Sequence, residues 1–194
     1  MAALIFSISG ENRGQQASRM DDSRAQLAAT DMISYASFVE IAVSQMTQFG
    51  VNFDEIRFDL PGTTDYASNT SQQIHHPVGG GMQPFDTKPE FFDGNGTIGW
   101  QFQGNINIEW TPTTATDLLY SFINIDTDLC AAINQQLLRI STIPTATMTF
   151  ANTLAEGGAD ADMVISECSA CENIKSMCIT DGTTNAYYTI IGSR

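Results

Sequence analysis

Four cysteines, a pair of adjacent histidines and one short acidic turn are the residues of this chain whose types and spacing carry chemistry. Cys168, Cys171 and Cys178 fall within 11 residues of Ser-, Gly- and Asn-rich chain, and Cys130 stands apart. An even number in that setting reads as disulfides made in an oxidising compartment. Zinc is the competing reading, because Cys-x2-Cys is a ligand spacing. Only one such pair is present and neither histidine is near it; free thiols are the third alternative. Four cysteines allow three connectivities, and spacing does not choose among them.

His75-His76 would offer a base or a metal ligand. Neighbours in an extended segment point to opposite faces, so a structural or exposed role is expected for both. Gly79-Gly80-Gly81 has the glycine content of a phosphate loop but lacks its Lys and the following helix, and reads as a tight turn. Asp93-Gly94-Asn95-Gly96 starts like a calcium loop. An EF-hand needs Gly at its sixth position and Glu at its twelfth, where this chain has Ile98 and Gly104. A turn is expected there, and a looser calcium site from Asp86, Asp93 and Asn95 is the alternative. No nucleophile elbow and no His-Glu-x-x-His motif occurs, so no catalytic residue is assigned and the chain reads as non-enzymatic. No cofactor is implied apart from that calcium.

The 194 residues suffice for one domain with a real core, and 42% apolar against 15% charged residues argues for a folded chain. The net charge is −14, and 19 of the 22 acidic residues follow Arg24. Such a surface repels phosphate backbones, so nucleic acid is excluded as a partner.

The element that must position everything else is residues 1–50. It opens apolar, with Leu4, Ile5, Phe6 and Ile8. It then becomes polar, and ends in a stripe of Met32, Tyr35, Val39, Ala42, Met46 and Phe49 supported by Phe38 and Ile41. Spacings of 3 and 4 predict one long helix, closed by Gly50 as its C′ residue. Residues 2–8 are too short to span a bilayer, and are expected to be the remnant of an upstream apolar anchor. Residues 51–194 form the head. Gly and Pro break up residues 51–98, leaving short strands at 55–58 and 76–78. Period-two alternation then predicts a hairpin, Ile98 to Gln103 and Ile106 to Trp110, turning at Gly104-Asn105. Trp100, Phe102 and Trp110 read as core more than as a sugar platform. A strand at 118–123, a helix from Thr127 to Arg139 capped by Asp126, and strands at 145–150 and 187–191 complete an α+β domain: a long helix packed on an antiparallel sheet.

That order of parts resembles type IV pilins and the related pseudopilins of Gram-negative bacteria. The pieces carrying the likeness are the Ala/Gln-rich helix from Gln15 to Met46, His76-Pro77-Val78-Gly79-Gly80-Gly81, the helix start Cys130-Ala131-Ala132-Ile133-Asn134, and the ending from Tyr187-Tyr188 to Arg194. The family's leader, processing glycine and nearby Glu have no counterpart here, which the truncated-anchor reading accounts for. The resemblance implies a pilin-like fold and a structural subunit of a pilus or of a secretion pseudopilus. It implies partners of the same kind, an inner-membrane anchor before assembly, and an extracytoplasmic location. Leu4, Ile5, Phe6 and Ile8 would serve assembly, and 60–96 with 157–182 would be exposed variable surface. The alternative is an extracytoplasmic binding or adhesion module, with calcium as its optional ligand.

Overall fold

The computed structural model describes residues 3–86, 100–156, 159 and 161–193, with the backbone alone of residues 3–20. Helix α1 (Ala3–Gln48) is one unbroken element of 46 residues, about 69 Å long at 1.5 Å per residue. Leu4, Ile5, Phe6 and Ile8 are helical within its first turns. Its end is a Schellman motif: Gly50 has φ +90°, Gly50 N–H donates to Thr47 and Val51 N–H to Met46.

The face that α1 buries carries Ala28, Ala29, Met32, Ala36, Val39, Ala42, Val43 and Met46. The predicted stripe is therefore right in the middle and wrong in its support. Phe38 and Ile41 are more than half exposed and Phe49 is 89% exposed. Small residues explain the choice of face, because four alanines let the helix backbone approach its neighbours closely while the bulkier side chains turn outward. By length and hydropathy alone Asp21–Gln48 would cross a bilayer; here its inner face is a wall of the core.

Strands β1 (Trp100–Ile106), β2 (Asp117–Ile123), β3 (Ser176–Thr180) and β4 (Asn185–Gly192) form one antiparallel sheet in the order β1-β2-β4-β3. α2 (Thr127–Leu138) starts at Asp126, whose carboxylate accepts from Asp128 and Leu129 N–H, the expected cap. α1 and α2 cover one face of the sheet, against Tyr120, Phe122, Tyr187 and Ile191. The segment from Ala146 to Ile174, including the short α3 (Phe150–Thr153), covers the other against Leu119, Tyr188 and Ile190. Both central strands are thus buried on both sides, which is why 118–123 and 187–191 read as continuous apolar runs rather than alternating ones.

Four expectations are corrected. Gly104-Asn105 is not a hairpin turn, for β1 runs straight through it to Ile106 and pairs with β2. The pairing register shifts between Gln103 and Ile106, and buried Gln103 Oε1 accepts from both Gly104 and Asn105 N–H, supplying the acceptor that the bulge removes. Gly104 serves packing, because a Cβ there would lie 3.1 Å from the Phe102 ring and 3.2 Å from Leu118. Residues 145–150 do not form a strand; they contribute a single parallel bridge, Thr145 to Thr180, and then turn into α3. Of the two short strands in the loop, 55–58 is reduced to a bridge between Arg57 and Gln73, and 76–78 is a turn. Nor is 157–182 simply surface, since Met163, Cys168, Cys171, Met177, Cys178 and Ile179 are core residues.

Candidate functional site

The four cysteines form two bridges, Cys130–Cys178 and Cys168–Cys171. All four are consumed, so no thiolate is left for zinc. The first bridge ties α2 to β3. One turn further along α2, Asn134 reaches the same residue: its Oδ1 accepts from Cys178 N–H at 2.8 Å, and its Nδ2 donates to the Cys178 carbonyl at 2.8 Å and to Thr142 at 3.1 Å. β3 is an edge strand, and Asn134 occupies the backbone groups that face away from β4, beside Pro144–Ala146, which pairs with Thr180. The edge is therefore closed to other chains at these positions.

The two histidines diverge as adjacent residues should. His75 is buried, with Nδ1 3.3 Å from the Met82 carbonyl, whereas His76 Nδ1 accepts from Val78 N–H and its ring lies against Tyr66. The glycine run is the tight turn expected, with Gly79 and Gly81 N–H donating to His76 and Gly80 N–H to Gln73. Those amides are spent on the chain's own carbonyls, and a Cβ on Gly79 would sit 2.1 Å from the Gln73 oxygen. Asp86 is exposed; Asp93 and Asn95 lie outside the described residues.

Burial holds the His75 imidazole below its ordinary pKa, against the weaker opposing pull of the Met82 carbonyl. A depressed folded-state value means that the unfolded chain takes up this proton first. Stability is then full above the ordinary value of 6.5 and declines as pH falls through the window beneath it, by at most about 1.4 kcal/mol per pH unit. Glu156 has the opposite sign: burial and then the charge of Asp59 raise its carboxyl, so it offsets part of the decline as pH falls. Urea unfolding at pH 7.5, 6.5 and 5.5 should show the decline, and His75→Asn should flatten it.

Where the loop crosses β1, the side chains converge on a hollow of about 340 Å³. β1 supplies Trp100 and Phe102, β2 supplies Tyr120, α1 supplies Tyr35, and the loop adds Phe58, His75 and Phe85. Trp100 stacks on Tyr120 at 4.5 Å with the rings parallel, and Phe58 stacks on Phe102 at 4.2 Å. Tyr35 closes on Phe85 at 5.0 Å. The buried Nε1–H of Trp100 has no acceptor among the described residues. Two carboxylates stand in this setting. Asp59 is half-buried and accepts from Gln73 Nε2 at 2.7 Å, while Glu156 is exposed at the rim. Partial burial, and then the charge of Asp59, push the Glu156 carboxyl up. Burial also raises the phenols of Tyr35 and Tyr120, so both are neutral donors at physiological pH. A second hollow, of about 470 Å³, lies alongside and shares Phe58, Asp59, Phe102 and Glu156.

Nothing in the local sequence announces this hollow, whose walls come from Tyr35 at one extreme and Glu156 at the other. Asn134 was equally hidden, since its partner lies 44 residues further on. Asp117 is a third case. Fully buried, it clasps the β1–β2 connection by accepting from Ile108 N–H at 2.9 Å and Thr111 Oγ1 at 3.0 Å. No protein-family model, curated protein or solved structure matches the chain, so its functional reading rests on this geometry alone.

Proposed function

We propose that the chain is a non-enzymatic, pilin-like subunit of an extracytoplasmic filament of the type IV pilus or secretion pseudopilus kind. The single observation that carries this reading is that α1 is apolar on two sides. One side fills the core. The other presents Leu27, Phe38 and Ile41 on the solvent face of the same helix, with Phe49 just past its last turn, each at least half exposed. A folded domain gains nothing from four large apolar side chains in water along one line, whereas a helix shared between subunits does. The backbone of α1 also continues for 25 residues ahead of Ala28, the first fully buried side chain among its described ones. That part, with Leu4, Ile5, Phe6 and Ile8, is where membrane anchoring and assembly would act. Two disulfides suit an oxidising compartment outside the cytoplasm.

Sedimentation velocity over a concentration series tests the reading. The full chain should self-associate reversibly, and a variant carrying Leu27→Gln, Phe38→Gln, Ile41→Gln and Phe49→Gln should remain monomeric with an unchanged thermal midpoint. Each substitution alone should weaken association by roughly tenfold, the worth of a large apolar side chain half-buried at a contact. Identical monomeric behaviour of parent and variant at the highest attainable concentration would sink the proposal.

A further inference from the structure

We propose that the aromatic hollow between β1 and the loop binds an organic cation, an alkylammonium or alkylguanidinium group, with Asp59 and Glu156 taking the charge and the Trp100–Tyr120 wall taking the alkyl part. This site is independent of the assembly face on α1 and stands or falls without it.

The chemistry of the lining selects the ligand class. Two carboxylates border the hollow, and no Lys or Arg is among the residues that line it. Partial burial first, and then the charge of Asp59, push the Glu156 carboxyl up, and an added positive charge between the two carboxylates would offset both. Beside the carboxylates stand the rings of Tyr35, Phe58, Phe85, Trp100, Phe102 and Tyr120, with His75, Thr63 and Gln101 adding polar edges. Such walls exclude water, strengthen charge pairing and attract cations through the ring faces. They also argue against a metal. Calcium takes six to eight oxygens and gives up its water only to them, and two carboxylates among rings cannot replace that shell. An alkylguanidinium, more weakly hydrated than an ammonium, loses less on entry, and the alkyl part of either cation gains contact with the rings. A hollow of 340 Å³ admits a short side chain but not a folded partner. The net charge of −14 concentrates cations around the molecule before they bind.

The ligand chemistry has two sources, a free small amine or a Lys or Arg side chain on another protein. Titration of the full-length chain with butylammonium, butylguanidinium and the peptides acetyl-Gly-Lys-Gly-amide and acetyl-Gly-Arg-Gly-amide, with n-butanol and calcium chloride as controls, separates them. The readout is the Trp100 indole N–H resonance, assigned through Trp110→Phe. The cations should shift that resonance with Kd of about 1 mM or tighter, and butanol should bind at least tenfold more weakly. Glu156→Gln, at an exposed rim position that leaves the fold intact, should weaken binding about tenfold, as should Asp59→Asn. Affinity should fall as pH drops, because Glu156 and Asp59 lose their charge and His75, in the same hollow, gains one; His75→Asn should leave the carboxylate part of that fall in place. Tighter binding of the small amines assigns a free ligand, and tighter binding of the peptides assigns a partner's side chain. No shift at about 50 mM cation, equal binding of butanol, or tighter binding of calcium would overturn the proposal.

Discussion

Asn134→Ala should be among the most damaging single substitutions in the molecule, lowering stability by about 3 to 5 kcal/mol. Asn134 is fully buried and its amide is matched to Cys178 at both ends, one N–H and one carbonyl, with the Thr142 carbonyl as a third partner. Removing it strands three backbone groups, two of them on a residue with no solvent contact. Each stranded group costs the desolvation it no longer recovers, about 1 to 3 kcal/mol. Asn134→Asp is the informative control. It keeps the acceptor for Cys178 N–H but sets a buried carboxylate against two carbonyl oxygens. At neutral pH it should be at least as destabilising as alanine, and it should recover in part in acid as the carboxyl is protonated. Denaturant unfolding gives the magnitude. Hydrogen exchange at the Cys178 amide gives the mechanism, since that proton should lose protection before its neighbours in β4 do. A loss below about 1 kcal/mol would mean that water reaches this edge.

The two disulfides should contribute unequally. Cys130–Cys178 closes 48 residues of chain and Cys168–Cys171 closes three. On the loop-entropy account the first is worth roughly 4 kcal/mol and the second roughly 2. Cys130→Ala with Cys178→Ala should lower the thermal midpoint by about 8 to 16 °C, and the short-loop pair by about half as much. The long bridge does more than restrict the unfolded chain. It joins α2 to β3 at the residue that Asn134 clasps, so the two effects share a partner and should not add. A double-mutant cycle between Asn134 and the Cys130–Cys178 pair should show coupling above about 0.5 kcal/mol. Equal losses from the two bridges would point instead to the packing around Cys168 and Cys171 as the controlling term.

Much of the scaffold was legible because it obeys local rules. The 3-and-4 spacing of Met32, Tyr35, Val39, Ala42 and Met46 marks α1, Gly50 marks its end, and Asp126 marks the start of α2. Apolar runs mark β2 and β4. What failed did so where a long-range contact decides. Gly104-Asn105 has the composition of a turn, yet the strand runs through it with the Phe102 ring and Leu118 packed close over Gly104, and Gln103 repairs the bulge. Phe38, Ile41 and Phe49 look like core residues by type, but the sheet takes the alanine-rich side. β3 was missed because a five-residue strand holding a cysteine, among Ser, Asn and Lys, carries little periodicity. The disulfide pairing and the aromatic hollow join residues far apart in sequence, and spacing holds no record of either.

The strand order has a consequence for how the molecule comes into being. β4 lies between β2 and β3, and it follows both along the chain. Until Asn185–Gly192 has been added, β2 has β1 on one side and nothing on the other, and β3 has no partner strand at all. α1 and α2 can form early from local contacts, but the sheet they cover is completed only from the far end. Folding is therefore a late, long-range closure rather than growth from the first residue, slow by the rule that non-local pairing is slow. A nascent chain would hold the β4 side of Leu118–Ile123 unpaired until then, which places the hazard of aggregation before β4 arrives.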